Sequence, residues 1–188
     1  MKKIIKGIIL ITLIAIMAVS VVGCKSVSDE TAIHIVNGLV EKSYELNVIY
    51  FGEGLKPQAH NNESDLYIPV AGSSNYTAKL PLMERTREIF SSEYASSIIK
   101  TAFEGEEGAI GTTAIYARYI EFEGYLSVRR DIEGIEVAKY DFTTTKIIKN
   151  SKKFIVAKIK TTNTDNPQYV EITLINEENG WRIDSATY

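Results

Sequence analysis

The spacing of apolar residues changes once along this chain, near Thr113, and that change restricts the folds open to it. Before this point apolar residues recur every three to four positions, as on an amphipathic helix. After it they alternate, as on strands with one buried face. Residues 29–50 predict a first helix, capped by Ser28 or Asp29, because a short oxygen side chain accepts a bond from the free first-turn amides. Ile33, Val36, Val40, Tyr44 and Val48 form its stripe, widened by Ile35 and Leu39, with Glu41, Lys42 and Glu45 on the other side. His34 falls among the apolar positions and reads as a partly buried structural histidine, with a ligand or general base as the alternative. Residues 80–103 predict two further helices, with Pro81 suited to a first helical position and Ser91 or Ser92 to a second cap.

From Thr113 onward the alternation predicts about six strands on short turns. Tyr116, Arg118 and Ile120 alternate with Ala117, Tyr119 and Glu121, and Gly124 allows a turn into residues 125–129. A strand over residues 137–149 slips in phase at Ile147-Ile148, the mark of a bulge. Residues 154–162 and 169–174 follow, and Asn179-Gly180 is a hairpin signal because both residues tolerate positive φ. Trp181, Ile183 and Ser185 close the series. Helices first and strands afterwards predict an α+β domain, its helices packed on one face of a curved antiparallel sheet.

Between the first two helical segments lies Ile49-Tyr50-Phe51-Gly52-Glu53-Gly54-Leu55-Lys56-Pro57, where two glycines and a proline stop any helix. As a phosphate loop, Gly52-x-Gly54 lacks the preceding strand, the following helix and the Lys-Ser/Thr. Residues 58–77 read as a polar loop with one island, Tyr67-Ile68-Pro69-Val70. His60, Glu63 and Asp65 fall close together there but match neither zinc nor calcium spacing, so a solvated loop and no metal are expected. The eleven tyrosines read as half-buried strand residues, with a tyrosine-lined sugar or peptide groove as the alternative.

The N-terminus carries Lys2, Lys3 and Lys6, then an uncharged apolar run over residues 7–22, then Gly23-Cys24. This is the layout of a secretory signal peptide, and Val21-Val22-Gly23-Cys24 resembles the lipobox of bacterial lipoproteins. The resemblance implies cleavage between Gly23 and Cys24, with a thioether-linked diacylglycerol on Cys24 and fatty acid of the palmitate kind. It places the protein on the extracytoplasmic face of the cell membrane. An uncleaved membrane span needs about 20 apolar residues, and the run has 16; a plain signal peptide is the third reading. Cys24 is the only cysteine, so no intramolecular disulfide exists and a leftover cysteine calls for an explanation. Two acyl chains anchor stably where one does not, so no polybasic run is needed, and none follows Cys24.

The organisation expected is therefore a signal peptide over residues 1–23, a short tether over 24–28 and a single domain over 29–188. Without residues 1–23 the chain has 165 residues, with 18 basic against 24 acidic, a net charge of −6. By net charge alone such a chain is expected to be held off an anionic surface, and no nucleic acid is expected as a partner, since that requires a basic patch.

Two further resemblances concern the domain. The 49–57 segment resembles an I-x-F-G-E-G-L-P pattern in uncharacterised lipoproteins of low-GC Gram-positive bacteria; it departs at Lys56, and Pro57 comes one residue late. The order of elements and the ending Gly180-Trp181-Arg182-Ile183-Asp184 resemble the NTF2-like (cystatin-like) cone superfamily over residues 29–188. That resemblance implies a long first helix in the concavity of a bent sheet, with a two-layer sandwich of another topology as the alternative. The superfamily includes ketosteroid-isomerase-like enzymes, polyketide cyclases and dehydratases, and many binding or accessory domains, so fold alone decides no activity.

Isomerase-type chemistry needs a carboxylate base and converging hydrogen-bond donors. The inward-facing candidates are His34, Tyr44, Tyr116, Arg118, Tyr140 and Asp184, and no pair of them has a recognisable spacing; Arg118 could instead pair with a glutamate across the sheet. Nucleophilic hydrolysis lacks a Gly-x-Ser-x-Gly motif, and the chain has just two histidines. The expectation is a membrane-tethered, non-catalytic binding or accessory domain without cofactor. Its partner would be a cell-wall component, another envelope protein or a small ligand in the cone. A ketosteroid-isomerase-like enzyme or ligand carrier is the alternative.

Overall fold

A computed structural model describes residues 26–59, 65–106, 115–163 and 166–188. Cys24, Gly23, His60 and Glu63, named above, lie outside the described residues. Helix α1 spans Asp29–Tyr50, and Ser28 caps it by accepting from the Thr31 amide at 3.1 Å. Ala32, Val36, Val40, Ser43, Leu46 and Asn47 are buried along one stripe, the spacing that brings successive turns to one face. His34 is exposed, a correction to its reading as partly buried, because two residues from both Ala32 and Val36 it falls on the opposite side of the helix from their buried stripe.

Helix α2 spans Lys79–Ile89 and α3 spans Ser92–Glu104. Pro81 is the third residue of α2 and not the first; its missing N–H still falls in the turn that has no intrahelical partner. Ser91 caps α3, accepting from the Tyr94 amide at 3.1 Å. No helix among the described residues is long and apolar enough to cross a membrane.

Among the described residues seven strands form two antiparallel sheets, not one sheet of six. Strands β1 (Tyr67–Pro69), β2 (Tyr119–Phe122) and β3 (Tyr125–Arg129) make the smaller, in the order β1-β3-β2. The island in the polar loop adds itself to the free edge of β3, Ile68 opposite Val128. Tyr116 and Arg118 precede β2 instead of belonging to it. The larger sheet runs β4 (Tyr140–Asn150), β5 (Phe154–Thr161), β6 (Tyr169–Glu177) and β7 (Gly180–Ile183) in chain order. The sheets separate because the segment joining β3 to β4 turns away to pack on the end of α1, where the Ile135 amide bonds the Phe51 carbonyl at 2.8 Å.

Register explains the layering. On the larger sheet Ile155, Ala157 and Ile159 of β5 align with Leu174, Ile172 and Val170 of β6, and Ile183 lies opposite Leu174. All but the half-buried Val170 are fully covered, and each buried isoleucine or leucine contributes roughly 1.5–3 kcal/mol. α1 packs on this face, and one connected core joins it to α2, α3 and both sheets. The other face carries Lys146, Lys158, Glu171 and Tyr169. The slip expected at Ile147-Ile148 is present as a register shift between Ile147 and Lys149, and a second lies between Asp141 and Lys146. In the last hairpin the turn residues are Glu178 and Asn179; Gly180 already pairs with Glu177, and it alone of Asn179-Gly180 takes a positive φ.

Candidate functional site

A helix leaves its last four carbonyls without helical partners, and in α1 each of these finds one. Asn47 O accepts from the Phe51 and Gly52 amides, and Val48 O from Gly54 at 2.9 Å. Ile49 O accepts from the Tyr119 hydroxyl at 2.7 Å, and Tyr50 O from Arg118 Nη1 at 2.9 Å. Arg118 Nη2 also donates to Gly52 O at 2.6 Å, and Tyr119 Oη accepts from the Leu55 amide at 3.0 Å. Arg118 thus pairs with backbone carbonyls and not with a glutamate across the sheet, placing a cation at the negative end of α1. Burial pulls its pKa below the ordinary arginine value.

The same joint explains the glycines. A Cβ on Gly134 would stand 1.8 Å from Gly52 O, and one on Gly52 would stand 2.9 Å from Val137 Cγ2. Two backbones touch here with no room for a side chain. The 49–57 segment is thereby a structural joint that fastens α1 to β2 and to the segment before β4.

Beside the joint opens a cleft of about 650 Å³, lined by Phe51, Tyr94, Ile98, Tyr116, Arg118 and Tyr188 among others. Tyr188 stacks on Phe51 with ring centroids 3.6 Å apart, and Arg129 lies over Tyr116 at 4.1 Å. Tyr116 is exposed at the cleft, whereas Arg118 is buried. Burial raises the Tyr94 phenol well above the usual tyrosine value, and Tyr188 adds to the shift.

A second cavity, of about 280 Å³, lies between α1 and the start of β4. Between Asp141 and Lys146 the strand leaves its ladder with β5, and Asn37 of α1 reaches the Phe142 carbonyl at 3.4 Å. The departure opens a space walled by Val40, Tyr44, Asn47, Tyr140, Phe142 and Thr187, with Glu41, Ala138 and Lys139 completing it. Asn47 Nδ2 donates to Thr187 O at 2.7 Å and to Thr187 Oγ1 at 2.8 Å. Those bonds fix the amide's orientation and leave Asn47 Oδ1 buried with no partner among the described residues. The Tyr140 hydroxyl is likewise buried without one, and burial pushes its pKa up to about 12. At neutral pH it is therefore a hydrogen-bond donor. Two residues of this largely apolar wall, Asn47 and Tyr140, thus each carry a buried polar atom without a partner among the described residues, which is costly to leave so.

The six residues singled out as inward-facing do not converge. Tyr44 and Tyr140 share the small cavity, and Tyr116 and Arg118 share the cleft. His34 is exposed elsewhere on α1, and Asp184, also exposed, accepts a short hydrogen bond from Ser91. Asn47 and Thr187 were not among the candidates. Asn47 did leave a signal, since it continues the buried row of Val36, Val40 and Ser43, where a polar side chain needs a partner. Among the described residues no His/Cys/Asp/Glu group is arranged to hold a metal.

No protein-family model matches the sequence, and no curated protein matches it.

Proposed function

We propose that this is a lipoprotein, exported and held at the extracytoplasmic face of the cell membrane by a diacylglyceryl Cys24, whose folded part is a non-catalytic binding or accessory domain. The observation that supports the binding role is that two wall residues of one apolar cavity, Asn47 and Tyr140, each hold a buried polar atom without a partner among the described residues. A small, mainly apolar molecule with a hydroxyl or an amide satisfies both, donating to Asn47 and accepting from Tyr140. The aromatic cleft beside it suits an envelope partner, a cell-wall component or another protein, whose apolar side chains or sugar rings stack on Tyr116 and Tyr188. The cone reading of the fold draws support from α1 lying on the buried face of the β4–β7 sheet.

Two measurements test this. Native mass spectrometry of the full chain extracted from membranes should find a bound small molecule, and Tyr140→Phe should lose it while remaining folded. An empty parent protein refutes the cavity's role. Cys24→Ser should abolish labelling by a radioactive fatty acid and leave an unprocessed or released chain. A membrane-bound Ser variant of mature size refutes the anchor.

A ketosteroid-isomerase-like use of the cavity is the second reading, favoured by Glu41, an exposed residue that lines the cavity together with Tyr140. It requires that Glu41→Gln leave ligand occupancy intact while stopping turnover of that ligand.

A further inference from the structure

The start of the described chain lies against one particular turn. Asn150, the last residue of β4, donates through Nδ2 to Val27 O at 2.8 Å and to Asp29 Oδ1 at 2.9 Å. Val27 packs against the core, and Ser26 shares a shallow depression with residues 150–154. The turn is stiff. Ser151 Oγ accepts from the Lys153 and Phe154 amides, and Asn176 grips the Lys152 and Lys153 carbonyls. It presents Lys149, Lys152 and Lys153 to solvent beside Ile148 and Phe154, which are 49% and 40% exposed.

Charge is distributed to match. Residues 139–160 contain seven lysines and a single acidic residue, Asp141, in a chain whose net charge is −3. Lys146 lies directly opposite Lys158, whose other cross-strand neighbour is Glu171; the unbalanced lysines are those at the turn, Lys149, Lys152 and Lys153. Cys24 stands two residues before Ser26, so at most about 7 Å of chain separates them. Anything that holds residue 24 at a bilayer therefore holds this turn against it. Asp29 and Glu30 are also exposed at this end; the Asp29 carboxylate is engaged by Asn150.

We propose that the turn and outer face of the β4–β5 hairpin form the surface on which the domain rests on an anionic lipid bilayer. Ile148 and Phe154 enter the interface, and Lys149, Lys152 and Lys153 meet lipid phosphates. The inference rests on the anchor at residue 24 proposed above. No basic run follows Cys24 in the sequence; the fold assembles one from the middle of the chain and sets it beside the tether.

The test uses the full chain in vesicles of phosphatidylcholine, alone or mixed with phosphatidylglycerol, labelled with a membrane-impermeant amine reagent and read lysine by lysine. In anionic vesicles Lys149, Lys152 and Lys153 should label several-fold more slowly than in neutral ones. Salt should reverse the effect, and Lys100 on α3 should not change. Lys152→Gln with Lys153→Gln, both at exposed positions, should weaken the remaining protection of Lys149 by about fivefold per lysine removed. Equal rates in both vesicle types overturn the proposal, as does equal protection by soluble polyphosphate over neutral vesicles, which assigns the surface to a polyanion. The mass of the N-terminal peptide reports acylation separately. An acylated chain without protection refutes the surface alone, and a protected chain without acyl groups refutes the anchor alone. A chain that does not float with vesicles refutes both.

Discussion

Replacing Tyr119 by Phe deletes one oxygen from the centre of the joint, and its cost follows from what that oxygen touches. The hydroxyl donates to Ile49 O at 2.7 Å and accepts from the Leu55 amide at 3.0 Å. Tyr119 is fully buried, and Ile49 and Leu55 are only 5% and 7% exposed, so water cannot take the oxygen's place. Two backbone groups lose their partner, each worth about 1–3 kcal/mol when left unsatisfied, partly offset because the hydroxyl itself no longer needs desolvating. The net cost should be about 2–4 kcal/mol. In a domain of this size that lowers Tm by roughly 5–15 °C. Tyr140→Phe makes the same chemical change where the hydroxyl has no partner, and should leave stability unchanged or raise it by up to about 1 kcal/mol. Urea melts of the full chain, followed by circular dichroism at constant m-value, give both numbers. A Tyr119→Phe protein within about 0.5 kcal/mol of the parent, or a Tyr140→Phe protein destabilised as much as Tyr119→Phe, refutes the reasoning.

Gly134→Ala should cost more than about 3 kcal/mol, because its new Cβ falls on the Gly52 carbonyl and the nearest atom to yield is backbone; a melt unchanged from the parent contradicts that contact. Stability should also fall at alkaline pH. Burial raises the phenols of Tyr50, Tyr94, Tyr119 and Tyr140 above the unperturbed 10.0. Below that value both states keep these protons and stability is complete. Above it the unfolded chain releases protons that the folded chain retains, so stability drains away as pH rises toward the folded values. Phenolate absorbance recorded alongside urea melts between pH 8 and about 12 should show late ionisation of these tyrosines together with falling stability. A flat profile argues against their burial.

Much of the fold could be read from local pattern. The 22 residues of α1 follow from a stripe that begins after Ser28 and ends at Phe51-Gly52. β3 follows from Gly124, and the slip at Ile147 from two adjacent isoleucines that cannot both face inward. What stayed hidden depends on contacts far apart in sequence. The division into two sheets arises because residues 130–139 pack on the end of α1 instead of leading β3 into β4, and alternation carries no trace of that choice. Arg118 could not be assigned its partners, since carbonyls belong to every residue and leave no mark. The small cavity was half legible: Tyr44 and Tyr140 were singled out, and Asn47 betrayed itself as a polar residue on an apolar row. Thr187, the group that orients Asn47, lies beyond the last strand, two residues past Ser185, where the alternation closes.

The grip of α1 on Thr187 also joins two parts of the chain that are far apart in sequence. Asn47 and Thr187 are 140 residues apart, and Tyr188 closes over Phe51. The amide of Asn47 is therefore oriented, and Phe51 covered, only once the chain has closed a loop of that length. Pairings so distant delay folding.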